Sequence, residues 1–202
     1  MKIVHIENLI AAGEFAGSLE WNNIEAAVTE AVLKVTWPPR SKLFTIFPES
    51  GKKRRMGNGV KPIKNGLIRS LIQQGWEKEI AITIPESERP GKFDAVIHTS
   101  RGPVALEWET GNISSSHRAL NKMALGLMKG YLAGGILIVP TRELYKYLTD
   151  RVGNWSELRP YLDLWKAIPC RSGVLQIVVV EHDALSTRVR RIPKGTSGRA
   201  LE

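Results

Sequence analysis

The sequence predicts an α/β protein in which helices flank a mixed central β-sheet, and two patterns point to this class. Several segments have apolar residues at spacings of three and four, which is typical of amphipathic helices. Other segments alternate apolar and polar residues or are continuously apolar, as strands do. The order strand, helix, strand between 104 and 139 favours a right-handed parallel crossover within one sheet.

The first half of the chain is predicted to contain two helices and one strand. The first helix covers 18–35 and stops before Trp37-Pro38-Pro39, since proline cannot continue a helix. Residues 40–62 follow as a basic, glycine-containing loop. A second, short helix then ends at Gly75, and the alternating isoleucines of 79–84 predict a strand.

The second half is predicted to begin with a hairpin of two strands, 93–98 and 104–109. A long helix follows, opened by the capping hydroxyls of Ser114 to Ser116 and ended by Gly134-Gly135. The remaining predicted elements are a buried strand at 136–139, a helix from Thr141, a helix around 155–165 and a strand at 174–180.

Length and composition predict one globular domain over 1–202, because 202 residues with 43% hydrophobic and 24% charged residues are ordinary for such a domain. Within it we expect a mobile basic loop at 49–62 and a disordered tail at 194–202. The longest apolar runs fall far short of the roughly 18 residues of a membrane span, so no membrane association is expected. A single cysteine, Cys170, excludes an internal disulfide and fits a reducing cytoplasm.

The charge balance predicts a polyanionic partner. The chain carries 29 Lys and Arg against 20 Asp and Glu, a net charge of +9. Such an excess favours a partner with many negative charges, although a merely basic, soluble surface also accounts for it. The glycine-rich segments lack the phosphate-binding loop pattern of ATP-dependent enzymes, so no nucleotide cofactor is expected.

The hairpin brings three acids together. Alternation places Glu107 and Glu109 on one face of their strand. A turn at Ser100 and Arg101 places Asp94 directly across from Glu107. Carboxylates opposed in this way repel each other, and Mg²⁺ is the obvious cation to offset that repulsion because it prefers oxygen ligands. Acids that hold a metal, within a basic chain that holds phosphates, are what a metal-dependent nuclease requires.

Asp94 followed by Glu107-Trp108-Glu109 resembles the PD-(D/E)xK nuclease motif in its D…ExE form. The context extends this likeness: Pro62-Ile63-Lys64-Asn65-Gly66 leads to Gly75-Trp76, Glu109-Thr110-Gly111-Asn112 follows the acids, and Ser114-Ser115-Ser116-His117-Arg118 opens the next helix. Over roughly residues 1 to 180 the arrangement is similar to type II restriction endonucleases of the BglII and BstYI kind. The resemblance implies a restriction-endonuclease-like core.

The resemblance also implies a homodimer that cuts duplex DNA at a short palindrome, with Mg²⁺ and a GATC-like core. Asp94 and Glu107 would be metal ligands, with the main-chain carbonyl of Trp108 as a third, and Glu109 would complete the catalytic set. Glu109 occupies a position where these relatives more often carry glutamine, the broader superfamily lysine and BamHI-type enzymes glutamate.

The predicted DNA contacts lie in two segments. One is the start of the long helix, with Asn112, Ser114, Ser115, Arg118 and Lys122. The other is the run Lys52, Lys53, Arg54 and Arg55 in the basic loop. For the basic residues in both segments, simple solvation is an equally good interpretation.

Two alternatives to a restriction endonuclease remain open at this stage. One is a PD-(D/E)xK nuclease of DNA repair or recombination, such as a junction resolvase. The other is a basic DNA-binding protein that has the fold without the chemistry.

Overall fold

A computed structural model of the protein describes residues 1–51, 56–84, 91–149 and 152–194. The strands are β1 (Lys2–Ala12), β2 (Thr45–Ile46), β3 (Glu77–Ala81), β4 (Lys92–Thr99), β5 (Gly102–Trp108), β6 (Gly134–Pro140), β7 (Gly173–Glu181) and β8 (Ala184–Leu185). The α-helices are α1 (Leu19–Leu33), α2 (Lys61–Ile72), α3 (Ile113–Met128), α4 (Arg142–Tyr145), α5 (Trp155–Leu158) and α6 (Leu162–Lys166). Short 3₁₀ helices cover Glu14–Gly17 and Arg159–Tyr161.

Six strands form the central sheet in the order β1-β7-β6-β5-β4-β3. The pairs β5–β6 and β6–β7 are parallel, and the other pairs are antiparallel. The predicted α/β class with a mixed sheet is therefore confirmed. β1 and β7 pair along their length, so residues near both ends of the described chain belong to the same sheet.

Helices cover both faces of this sheet. On one face α1 and α2 belong to a buried cluster that includes Trp21, Leu67 and Leu106 of β5. On the other face α3 packs through Leu120 and Met123. Every residue of β6 and β7 is buried, as expected for parallel strands covered on both sides.

The hairpin has the predicted register. The ladder runs from Ala95 opposite Leu106 to Thr99 opposite Gly102, and Ser100 and Arg101 form the turn. The next pair in this register is Asp94 and Glu107, just beyond the last paired residues. The two acids therefore emerge side by side where the ladder ends.

Several predicted boundaries are wrong. The strand predicted at 79–84 is β3, which ends at Ala81, and Glu79 has a positive φ of 56° and is skipped in the pairing with β4. Asn112, not the serines, caps α3, because its side-chain oxygen accepts a hydrogen bond from the Ser115 N–H at 3.3 Å. The helix ends at Met128, and Gly134-Gly135 instead begins β6.

Two features were not expected from the sequence pattern. The helix predicted around 155–165 is divided into α5, a 3₁₀ helix containing Pro160, and α6, because proline removes a backbone donor. The strand β1 was not predicted at all. Register shifts at Ile3/His5 and Asn8/Ile10 interrupt its alternation, and it lies at the edge of the sheet with much of its surface exposed.

Residues 52–55 of the predicted basic loop and 195–202 of the predicted tail lie outside the described residues. Within the described part of the chain, no helix combines the length and apolar character needed to cross a membrane.

Candidate active site

A cleft of about 630 Å³ opens beside the end of the hairpin, between β4, β5, α2 and the first turns of α3. Its lining includes three carboxylates, Asp94, Glu107 and Glu109. It also includes four basic side chains: Lys64, Lys92, Arg118 and Lys122. Because acids that can hold a cation lie beside cations that can hold a phosphate, this cleft is the candidate active site.

Asp94 is held on both sides of its carboxylate. Its Oδ2 accepts a hydrogen bond from the main-chain N–H of Trp108 at 2.9 Å, which fixes the acid against the end of β5. Its Oδ1 forms an ion pair with the ammonium group of Lys64 on α2. The Asp94 side chain is 13% exposed, so these contacts are largely shielded from water.

Glu107 is the most strongly perturbed acid of the site. Burial disfavours its charged form, and the adjacent Asp94 carboxylate adds repulsion, so that the pKa of Glu107 rises to about 8. Lys122 and Lys64 lie near enough to oppose this rise. Without another cation, Glu107 therefore retains a proton at neutral pH.

Glu109 lies deeper, and only 6% of it is exposed. Its Oε1 accepts a hydrogen bond from the main-chain N–H of Gly111. This bond fixes the carboxyl group against the short connection between β5 and α3. Burial raises the pKa of Glu109, and the Gly111 hydrogen bond opposes that rise. A carboxylate whose pKa is raised in this way is a stronger base than one in water.

Lys122 lies on α3, at the opposite wall from Lys64. Its ammonium group donates to the main-chain carbonyl of Gly91 at 2.5 Å and lies 3.5 Å from the centre of the Phe93 ring. Burial lowers the pKa of Lys122, while the charges of Glu107 and Asp94 oppose that change. Lys122 is thus hydrogen-bonded to the residue that precedes β4, and it contributes positive charge beside Glu107.

The residues predicted to contact DNA are placed differently from one another. Arg118, Lys122 and Ser115 line the cleft, and Arg118 donates to the Ser115 hydroxyl at 3.4 Å. Ser114 lines an adjoining cavity of about 580 Å³ that shares Arg118 and Lys122 with the cleft. Asn112 is exposed and caps α3. The run Lys52, Lys53, Arg54 and Arg55 lies outside the described residues.

The donor chemistry of the cleft fits a hard divalent cation. Across residues 1–51, 56–84, 91–149 and 152–194, no group of three or more His, Cys, Asp or Glu side chains is arranged to hold a metal ion. Asp94 and Glu107 nevertheless form a pair of adjacent carboxyl groups, and the charge of Asp94 helps to raise the pKa of Glu107. Mg²⁺ commonly binds to one or two carboxylates and completes its shell with water and substrate phosphate oxygens, so two acids and one main-chain carbonyl are sufficient.

Lys64 was not among the site residues predicted from the sequence. It stands within the segment Pro62-Ile63-Lys64, between the buried Ile63 and the exposed Asn65. Helical periodicity shows which residues of α2 are apolar, but it does not show which strand end the first turns approach. Only the packing of α2 beside the hairpin reveals that this lysine reaches Asp94.

Comparisons with known proteins agree on the family. A family model described as "Restriction endonuclease BamHI" matches residues 1–199. The type II restriction enzyme OkrAI of Oceanobacter kriegii is 47% identical over 202 residues and covers 100% of both chains. The type II restriction enzyme BamHI of Bacillus amyloliquefaciens is 34% identical over 186 residues, and the match covers 88% of this chain and 81% of that enzyme.

A solved structure supports the fold. The crystal structure of the restriction endonuclease BglII complexed with a DNA 16-mer superposes with a TM-score of 0.64 at 12% sequence identity. The match covers 95% of this chain and 88% of that chain. At this level of identity the likeness is evidence of the shared fold.

Proposed function

Since the chain belongs to the BamHI family and is a type II restriction endonuclease, we propose that it hydrolyses duplex DNA as a Mg²⁺-dependent homodimer at a short palindrome with a GATC-like core. The family assignment confirms the resemblance to type II restriction enzymes. It also fits Glu109, since glutamate at the last motif position is a feature of BamHI-type enzymes.

The main support for this proposal is that the carboxyl groups of Asp94 and Glu107 lie opposite each other. Two carboxyl groups at the end of one hairpin, with the pKa of Glu107 raised to about 8, form a site that gains stability from an added cation. Mg²⁺ supplies that charge, and Asp94, Glu107 and the main-chain carbonyl of Trp108 are the groups that would hold it. When bound, such an ion polarises the scissile phosphate, makes a nearby water more acidic and stabilises the charge that develops on the leaving oxygen.

Glu109 is suited to act on the water that attacks the phosphorus. Its carboxyl group is buried, and its orientation is fixed by the Gly111 N–H. Because burial raises its pKa, Glu109 is a stronger base than a carboxylate in water, which suits it to accept a proton from that water. Arg118 and Lys122 line the α3 side of the cleft, and they are the groups that we expect to hold the flanking phosphates.

Digestion of a supercoiled plasmid tests the activity and separates it from the alternatives. With Mg²⁺ the purified protein is expected to produce discrete fragments whose ends, once sequenced, share one palindrome. With EDTA the plasmid stays intact. Nicking that depends on DNA structure would instead indicate a repair or recombination nuclease, and intact DNA with a gel shift would indicate a binding protein.

A homodimer is proposed because two equivalent subunits read the two halves of a palindrome. Light scattering of the protein, free and bound to a duplex, is expected to give about twice the 22.5 kDa of one chain. A protein that stays monomeric in both conditions would contradict this part of the proposal.

A further inference from the structure

Lys64 forms an ion pair with Asp94, although a metal ligand is expected to keep an oxygen free for the metal. Its ammonium group pairs with Asp94 Oδ1, while the other oxygen of Asp94 is occupied by the Trp108 N–H. Both oxygens of this predicted ligand are therefore engaged. A divalent cation that binds to Asp94 has to compete with Lys64.

The main chain of Lys64 is fixed by the packing of α2, but its ammonium group is free to move. Ile63 and Leu67, on the same helix, are 2% and 0% exposed and anchor α2 in the core. The Lys64 side chain itself is 26% exposed, and lysine carries its charge on a flexible four-carbon stem. The ammonium group can therefore leave Asp94 without any movement of the helix.

Lys122 is less suited to this role. Its ammonium group is bound to the Gly91 carbonyl and lies over the Phe93 ring. Lys64 is thus the lysine of the cleft that directly pairs with a predicted metal ligand. It also enters from α2 rather than from the end of β5, where Glu109, the next residue, occupies the position that carries lysine in the broader superfamily.

We propose that Lys64 is the internal counter-cation of the site: it neutralises Asp94 before metal binds, gives way to the metal, and then binds the phosphate of the cleaved strand. This inference rests on the proposed metal-dependent cleavage. It assigns two opposite effects to one residue, because Lys64 competes with the metal and assists the substrate. A residue that only supports the fold would not have both effects.

The variant Lys64→Met tests the proposal through metal binding in the absence of DNA. Free Mn²⁺, measured by its electron paramagnetic resonance signal, reports binding of a hard cation that suits carboxylates as Mg²⁺ does. Lys64→Met is expected to bind Mn²⁺ about tenfold more tightly, because a like charge has been removed from the site. Its single-turnover cleavage with Mg²⁺ is expected to fall about 100-fold, as for loss of one group that stabilises transition-state charge.

Two further variants make the comparison specific. Lys34→Met removes an exposed lysine just after α1 that pairs with Glu30 at 2.6 Å, and it is expected to leave both Mn²⁺ affinity and cleavage at wild-type values. Lys64→Arg keeps the charge and is expected to keep the wild-type Mn²⁺ affinity. Thermal unfolding of each variant verifies that it is folded.

The outcomes separate this inference from the proposed function. If Asp94→Asn abolishes Mn²⁺ binding and cleavage while Lys64→Met leaves Mn²⁺ affinity unchanged or weaker, the metal site stands and the role of Lys64 is wrong. If the wild-type protein neither binds Mn²⁺ nor cuts DNA with Mg²⁺, the proposed function fails and the role of Lys64 fails with it.

Discussion

The three carboxyl groups of the cleft have different surroundings, and these surroundings suit them to different roles in the reaction. Asp94 is neutralised by Lys64 and held by a main-chain N–H. Glu107 faces Asp94 and has a pKa of about 8. Glu109 is nearly buried and is oriented by Gly111. We therefore propose metal binding for Asp94 and Glu107, and proton transfer for Glu109.

Substitution of each acid is expected to separate these roles. Asp94→Asn and Glu107→Gln should lower single-turnover cleavage at saturating Mg²⁺ by about 1,000-fold or more while DNA binding is largely retained, because a ligand of the metal is lost. Glu109→Gln should keep measurable cleavage, about 100-fold below wild type, because an amide still orients a water but accepts no proton.

The exposed Glu30→Gln serves as a control for this series and should cut at the wild-type rate. If Glu107→Gln cuts normally and Glu109→Gln is inactive, the assignment of the metal ligands is wrong. If all three variants cut normally, the active site lies elsewhere in the chain.

The raised pKa of Glu107 has a consequence for stability without metal. The unfolded chain loses this proton near the ordinary pKa of 4.5, whereas the folded protein keeps it up to about pH 8. The folded state thus binds more protons in that interval, so the free energy of unfolding should fall as pH rises from about 4.5 to 8 and then level off. Urea unfolding in EDTA at several pH values measures this dependence.

Glu107→Gln is the matched comparison, because glutamine does not titrate and the contribution of Glu109 remains in both proteins. The variant should show a clearly shallower decline over the same interval. An identical decline in both proteins would mean that Glu107 has no raised pKa in the folded state.

At the scale of elements, the hairpin and α3 together form the cleft. The β4–β5 register brings Asp94 beside Glu107, and the short connection after β5 leads directly into α3. Asn112 begins that helix, so one side chain both caps α3 and stands in the segment predicted to contact DNA. A single substitution of Asn112 can therefore change both the stability of the protein and its affinity for DNA.

Serine and alanine at position 112 separate the two effects. Asn112→Ala should lower the free energy of unfolding by about 1 kcal/mol, because the cap of α3 is lost. Asn112→Ser restores a capping oxygen and should recover most of that stability, yet it lacks the amide and should still bind duplex DNA more weakly. Urea unfolding and DNA titration in Ca²⁺ measure the pair. Full recovery of DNA affinity by serine would leave Asn112 with a capping role alone.

At the scale of the whole molecule, the chain has a net charge of +9, and its cleft combines three acids with four basic side chains. The basic groups attract the DNA backbone over a wide surface, while the acids act only where a cation reaches them. This division explains why DNA binding should survive loss of Asp94 or Glu107.

DNA affinity should therefore depend steeply on salt. In Ca²⁺, the logarithm of the binding constant should fall linearly with the logarithm of the salt concentration, because bound counterions are released from phosphates. Arg118→Gln should reduce the slope by about one, as expected for loss of one phosphate contact. Lys34→Gln, outside the cleft, should leave the slope unchanged. A wild-type affinity that is insensitive to salt would contradict the electrostatic basis of DNA binding.

Much of the sheet and the carboxylates of the cleft could be predicted from the sequence. The hairpin register follows from the turn at Ser100 and Arg101 and from the alternation of its strands, both of which are local. The buried strand β6 is a continuous apolar run, and β7 is apolar apart from Gln176 and Glu181. The helix between β5 and β6 implies that these two strands pair in parallel. Local periodicity was therefore sufficient to place Asp94 opposite Glu107.

Contacts between distant segments were decided only by the tertiary structure. β1 pairs with β7 although more than 150 residues separate them, and its register shifts remove the alternation that identifies a strand. Lys64 reaches Asp94 because α2 packs beside the end of the hairpin, and the periodicity of α2 records only that Ile63 and Leu67 are buried. Periodicity describes one element and its apolar face, whereas the partner of a charged side chain depends on how separate elements pack together.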